Sequence, residues 1–262
     1  MIPSALDHVQ EIASRSGQAA VFLDYDGTLT PIVNRPEDAW LSDSMRQALR
    51  ELAARMPVAI LSGRDLDDVR RRVGIAGIVY AGSHGFDIAG PHGLRRQMAS
   101  EFLPKLDTAK KELQEALDGI SGAHVERKRL SVATHYRNVK EEDVPRVRQA
   151  VGEVAWRHRE LRKMTGKKVH ELQPDIDWDK GRALIWLLET PGLEGGNVFP
   201  IYIGDDRTDE DAFRVVKQRG IGILVSEEPR FTAARYSLSD PAEVERFLRA
   251  LIATGGHAHR KR

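Results

Sequence analysis

The run Ala19-Ala20-Val21-Phe22-Leu23 is apolar from end to end and stops abruptly at Asp24-Tyr25-Asp26-Gly27-Thr28-Leu29. A strand without polar alternation is buried on both faces, the habit of a parallel sheet covered by helices. Buried charge is costly, so the two acids belong beyond the strand's carboxyl end, where doubly wound sheets place their ligand crevices. Two more short apolar runs follow, Val58-Ala59-Ile60-Leu61 and Ile78-Val79-Tyr80-Ala81. Between the three runs lie helical stripes, Met45, Leu49, Leu52 and Met56 behind Ser42-Asp43, then Leu66, Val69 and Val73 behind Asp65. Strand, helix, strand, helix, strand predicts an α/β fold, a doubly wound parallel sheet with right-handed crossovers.

The rhythm changes after Ser100. A helix is expected from Pro104 to Leu117, strands at Ala123 to Lys128 and Leu130 to Tyr136, a helix from Val144 to Leu161 and a strand at Lys168 to Leu172. This predicts an inserted α+β cap over residues 102–174, set above the sheet's carboxyl edge as a lid, with the core formed by 1–101 and 175–262. The parallel rhythm then resumes: a helix with Leu184, Leu187 and Leu188, a strand Ile201-Tyr202-Ile203 ending at Gly204-Asp205-Asp206, and a helix capped by Thr208. Ile221 to Val225 reads as the last strand, and Asp240-Pro241 opens a closing helix with Val244, Phe247, Leu248 and Leu251 on one face.

Composition narrows the function. Forty basic residues against 39 acidic ones leave a net charge of +1, which argues against a nucleic-acid binder held by bulk electrostatics. The absence of cysteine excludes disulfides, thiolate catalysis and Cys-type zinc sites, and fits a reducing cytosol. The amino terminus has no secretory signal pattern and no apolar run reaches membrane-spanning length. The tail His257 to Arg262 reads as solvated chain. The expectation is a stand-alone cytoplasmic monomer acting on a small molecule, with no nucleic-acid or membrane partner.

Polar groups follow three separate strands, Asp24/Asp26, Ser62 and Asp205/Asp206, and Lys180 opens a helix. Strand ends of a parallel sheet converge on one edge, so these groups can meet. Together they offer what phosphoryl transfer requires: a nucleophile, a proton donor, a cation site and donors to the equatorial oxygens. Each alone has a plain alternative. Asp-Gly is turn chemistry, Ser62-Gly63-Arg64 is a turn before a helix, and Lys180 fits a solvated first turn. Asp209, Glu210 and Asp211 suit a first helical turn, which leaves Asp209 a supporting role. Adjacent Asp205 and Asp206 repel without a counter-ion, and Mg²⁺ suits such an all-oxygen set.

In order, Asp24-x-Asp26-Gly27-Thr28, Ser62, Lys180 and Gly204-Asp205-Asp206 resemble the four signatures of the haloacid dehalogenase superfamily. That resemblance implies Asp24 as nucleophile and Asp26 as general acid, then base. It implies Ser62 and Lys180 as phosphoryl binders. It also implies Mg²⁺ held by Asp24, the Asp26 backbone carbonyl and Asp205, with Asp206 close by.

In the insert, strand parity puts Glu126 and Lys128 on one face, where a carboxylate and an ammonium can grip sugar hydroxyls or simply pair across strands. Glu126-x-Lys128, His135-Tyr136-Arg137, Gly166-Lys167 with Glu171 before Pro174, Gly82-Ser83-His84-Gly85 and Asp177-Trp178-Asp179-Lys180-Gly181 resemble the trehalose-6-phosphate phosphatases. Leu172-Gln173 after Glu171, and the basic pair Arg127 and Arg129, depart from that pattern. The resemblance implies hydrolysis of trehalose 6-phosphate, with Glu126, Lys128 and Glu171 on the sugar and Arg64, His84 and Arg137 completing the substrate-binding set. Another sugar phosphate, such as sucrose phosphate, and a sensor that binds without turnover stay open as alternatives.

Overall fold

The computed structural model describes residues 2–15, 19–190 and 198–255. The basic tail from His257 lies outside them. The chain forms two compact units, residues 1–96 with 178–262, and residues 97–177.

In the first unit, α1 (Val9–Ser14) precedes β1 (Ala19–Leu23); α2 (Asp43–Ala53) leads to β2 (Val58–Leu61), and α3 (Leu66–Val73) to β3 (Val79–Gly82). Ser42 caps α2, its Oγ accepting from the Met45 amide at 3.1 Å. Short strands β4 (Asp87–Ala89) and β5 (Arg95–Gln97) follow. The second unit supplies α4 (Leu103–Ala116), β6 (His124–Lys128), β7 (Ser131–His135), α5 (Val144–Arg157), β8 (Leu161–Gly166) and β9 (Val169–Pro174). Back in the first unit come α6 (Lys180–Leu188), β10 (Phe199–Gly204), α7 (Asp209–Val216), β11 (Ile221–Val225), β12 (Tyr236–Leu238) and α8 (Pro241–Gly255).

The larger sheet runs β12-β11-β10-β1-β2-β3-β4-β5. Strands β12 through β3 are mutually parallel, and β4 turns back antiparallel on β3. β1 sits between β2 and β10, so connections leave it in opposite directions and it marks the topological switch point. Every residue of β1, β2 and β11 is buried, as continuous apolar runs require. Val21 and Leu23 join Leu49, Leu52, Phe247 and Leu248 in one cluster, while Phe22, also fully buried, points the other way.

Three strands escape a reading by hydrophobic pattern. β4, β5 and β12 have three residues each, too few for periodicity, and β5 is Arg-Arg-Gln. In the second unit the expected helix to Leu161 ends instead at Arg157, and Leu161 begins β8. Val154 and Leu161 are seven residues apart, a spacing that a helix and a helix-turn-strand both satisfy, and the turn at His158 (φ −105°, ψ 73°) decides between them.

The smaller sheet runs β6-β7-β9-β8, antiparallel throughout. Val132 and Leu172 pack against Leu106, Leu113, Val147 and Val151 of α4 and α5. Alternation therefore gives the opposite face to Glu126, Lys128, Ser131, His135 and Glu171. On the helix side His170 is 4% exposed, stacks on Tyr136 at 4.9 Å and shares a hydrogen bond of 3.2 Å with Thr165.

Burial, with Lys163 and Arg148 nearby, lowers the His170 pKa to about 4. An unfolded histidine titrates near ~6.5, so the neutral ring stabilises the fold fully above that pH, and the contribution is lost as pH falls from about 6.5 to about 4. His170→Phe keeps the stack and removes the titration. Denaturant midpoints measured from pH 7 to 4.5 should fall less in this variant than in the unaltered protein; parallel curves would assign the acid sensitivity to other groups.

Candidate active site

Register sets the geometry. Leu23 pairs with Ile60 of β2 and Ile203 of β10, so Asp24, Ser62 and Asp205 leave neighbouring strands at one edge. The Asp24 amide donates to the Ile203 carbonyl at 2.9 Å and carries the ladder one residue further. Beyond it the chain folds back sharply: the Leu29 and Thr30 amides donate to the Tyr25 carbonyl, and the Gly27 amide to the Thr30 carbonyl. Gly27 has φ +87°, and a Cβ there would lie 2.2 Å from Asp205 Oδ2. Both the backbone angle and the close approach demand glycine.

Three carboxylates gather at this edge. One oxygen each of Asp24, Asp205 and Asp209 lies within 4.8 Å of the other two, and all three residues are buried. Lys180 Nζ donates to Asp24 Oδ1 at 2.5 Å and to Asp209 Oδ1 at 2.8 Å. Lys180 is the first residue of α6, whose N-cap Asp179 accepts from the Arg182 amide at 2.8 Å. Asp209 is the most enclosed member, at 0% exposure. It also accepts from the Tyr202 hydroxyl at 2.6 Å and the Asp206 amide at 2.8 Å. Gly204 gives it room, because a Cβ there would stand 2.3 Å from the Asp209 carboxyl carbon.

The electrostatics follow from burial and crowding. Burial, reinforced by the Asp209 and Asp205 charges, pushes the Asp24 carboxyl well above the usual range against the pull of Lys180. Burial disfavours the Lys180 ammonium too, but Asp209 and Asp24 overcome it and hold its pKa well above an ordinary lysine's. Burial beside Asp209 also keeps the Tyr202 hydroxyl protonated, and so a donor. Ionising all three carboxyl groups against one ammonium would leave an excess of negative charge in a buried site, and this crowding is part of what raises Asp24. A divalent cation with oxygen-only ligands balances that excess, and Asp24, Asp205 and Asp209 are the side chains that fit.

The other expected residues divide. Ser62 is buried and its Oγ accepts from the Arg64 amide at 3.1 Å. His84 packs its ring over Gly63 in a left-handed backbone conformation, φ 57°. Asp206 is half-buried and stays out of the three-carboxylate cluster, where Asp209 stands instead. Asp26 is gripped by both forks of Arg64 at 2.7 Å, and Arg64 also reaches Asp68 at 3.0 Å and the Pro36 carbonyl at 2.9 Å. Thr208 makes no side-chain cap bond to α7; the Asp206 amide, two residues before it, donates to Asp209 Oδ2 at 2.8 Å. The depth of Asp209 and the part of Tyr202 were not readable as such. The available signal was a lone hydroxyl inside Phe199–Gly204, an otherwise apolar strand in which a buried donor must find a partner.

In the second unit, the polar sheet face holds two carboxylates, each beside donors. Glu126 Oε2 accepts from His135 Nε2 at 2.8 Å. Glu171 Oε1 accepts from Lys128 Nζ at 3.1 Å and from Ser131 Oγ. Arg137 lies past the end of β7, exposed, with its guanidinium on the Lys167 carbonyl at 3.3 Å.

Residues 22–242 match the family model described as trehalose-phosphatase. The chain is 47% identical to the probable trehalose-phosphate phosphatase D of Arabidopsis thaliana, with 95% of this chain and 72% of that one covered. It is also 47% identical to the trehalose 6-phosphate phosphatase RA3 of Zea mays, covering 97% and 76%. Among solved structures, the C-terminal domain of the C. albicans trehalose-6-phosphate phosphatase aligns with a TM-score of 0.82 over 97% of this chain and 98% of that one; at 23% identity the likeness is one of fold.

Tyr202→Phe removes one of the donors that satisfy Asp209, an unpaired buried acceptor site costing about 1–3 kcal/mol. Urea denaturation should show the midpoint drop accordingly. An unchanged midpoint would mean the hydroxyl carries none of the load.

Proposed function

Because the chain belongs to the trehalose-phosphatase family, we propose that it hydrolyses trehalose 6-phosphate to trehalose and phosphate with Mg²⁺ bound. The observation that carries this reading is the enclosed set of Asp24, Asp205 and Asp209 around Lys180 at the switch point of the sheet. Bound Mg²⁺ would be held by Asp24, Asp205 and Asp209 and would offset the charge of the phosphoryl oxygens.

An oxygen of Asp24 attacks phosphorus, and the bond from phosphorus to the sugar oxygen breaks with its electron pair on the sugar. That oxygen takes a proton from Asp26, and trehalose leaves an acyl phosphate on Asp24. Asp26, now a carboxylate, takes a proton from water as the water oxygen attacks phosphorus. The bond to Asp24 breaks, releasing phosphate and restoring the carboxylate. Both Arg64 contacts to Asp26 must open for this proton traffic. Lys180 keeps the Asp24 oxygen aimed, and with Ser62 donates to the phosphoryl group. Arg64 and His84 stand as substrate-side residues of the core.

On the second unit, Glu126, Lys128, Glu171 and Arg137 offer acceptors and donors together, which suits sugar hydroxyls because each hydroxyl does both. The α+β insert expected at residues 102–174 falls within this unit and is the part proposed to select the sugar. The enzyme works as a cytoplasmic monomer; a net charge of +1 gives neither nucleic acid nor anionic membrane a bulk electrostatic hold. Among the described residues no helix is long and apolar enough to cross a membrane.

Phosphate release from trehalose 6-phosphate, glucose 6-phosphate and sucrose phosphate, with and without chelator, tests this. Trehalose 6-phosphate should be preferred, activity should vanish with chelator and return with Mg²⁺. A better rate on another sugar ends the substrate assignment, and binding without release makes the protein a sensor. Asp24→Asn should lower kcat by about 10⁴-fold or more, as loss of a nucleophile does elsewhere. Glu126→Ala should raise KM about ten- to hundred-fold, the worth of a hydrogen bond to a charged group. Steady-state kinetics would contradict the mechanism if Asp24→Asn turned over normally.

A further inference from the structure

We infer that His135 is a positioning residue for sugar recognition: its Nε2 fixes the Glu126 carboxylate, so that substrate hydroxyls meet an acceptor already in place. This rests on the reading of the polar sheet face as the sugar site. Glu126 and His135 share that face, since Glu126 pairs with Ala133 and His124 with His135 across β6 and β7. The bond between them is 2.8 Å and runs diagonally across the two strands. An ionised carboxylate only accepts, so Nε2 carries the hydrogen.

Two observations separate this contact from an incidental surface pair. The hydrogen bond from His135 is the largest influence holding the Glu126 carboxyl below the usual range; burial opposes it, Lys128 assists and Glu171 counteracts. The imidazole is itself fixed by stacking on His124, with centroids 6.0 Å apart and planes 27° from parallel. Glu126 is the looser of the two carboxylates. Its side chain is 40% exposed, whereas Glu171 is 11% exposed and held by both Lys128 and Ser131. His135 gives Glu126 what Lys128 and Ser131 give Glu171. A free glutamate must be ordered when a ligand binds, and His135 has already ordered it.

Two substitutions split the hydrogen bond from the packing. His135→Phe keeps a ring on His124 and loses the donor; His135→Gln keeps a donor and loses the ring. With trehalose 6-phosphate and Mg²⁺, His135→Phe should raise KM by about two- to twelve-fold, the cost of ordering one long side chain, with the change in KM rather than kcat. His135→Gln should restore most of it. In a Glu126→Ala background, His135→Phe should add nothing, because its target is gone. Equal KM in the unaltered protein, His135→Phe and His135→Gln, a Phe variant better than the Gln variant, or additivity with Glu126→Ala each overturns the inference. Failure of the unaltered protein to hydrolyse trehalose 6-phosphate would instead overturn the reading beneath it.

Discussion

The Lys180 ammonium between Asp24 and Asp209 is the constraint on which the site depends. Removing two carboxylates and an amine from water is expensive, and only close pairing with further donors offsets it. The fold supplies them: Tyr202 from within β10, the Asp206 amide from the loop after it, and Lys180 from the first turn of α6. A lysine at a helix amino terminus opposes the helix dipole, so its place there is understandable only through the two acids it meets. Gly27 and Gly204 complete the arrangement by lacking the Cβ atoms that would strike Asp205 and Asp209.

The two units solve different packing problems. The first buries both faces of a parallel sheet and pushes its charged groups to one edge, where β1 separates strands running off to either side. The second covers one face of an antiparallel sheet with α4 and α5 and leaves the other to Glu126, Lys128, Ser131, His135 and Glu171. Within that face each carboxylate has its own donor; Glu126 stays partly exposed, whereas Glu171 is buried. Phosphoryl chemistry needs a dry site with matched charges, and sugar recognition needs an exposed array of donors and acceptors. Under the proposed function one chain offers both, because its sheets differ in how many faces they cover with apolar packing.

How much was legible follows from the range of each signal. β1, β2 and β11 announced themselves as unbroken apolar runs, and the acids after β1 and β10 marked the edge. β5 carried no such mark, being three polar residues whose arginines reach Ile88, Trp178 and Trp186 far from any sequence pattern. The stretch at β8 kept a spacing that helix and strand share, and a turn at His158 settled it. Asp209 looked like any first-turn acid, because what makes it different is a tyrosine seven residues earlier and a lysine 29 residues earlier. Arg64 read as a substrate-side cation; its paired contact with Asp26, 38 positions away, is of a range that no local pattern carries.

Residue type and short-range pattern, by themselves, determined that this chain makes a doubly wound sheet interrupted by an α+β insert, with carboxylates at the ends of β1 and β10. Burial of continuous apolar runs leaves few other folds, and charge cannot follow those runs inside. Which carboxylates face one another, which donor satisfies each, and that Asp209 rather than Asp206 completes the cluster were decided only by the tertiary structure. A hydrogen bond acts over about 3 Å, and Asp24 and Lys180, whose side chains meet at that range, are 156 positions apart in the chain.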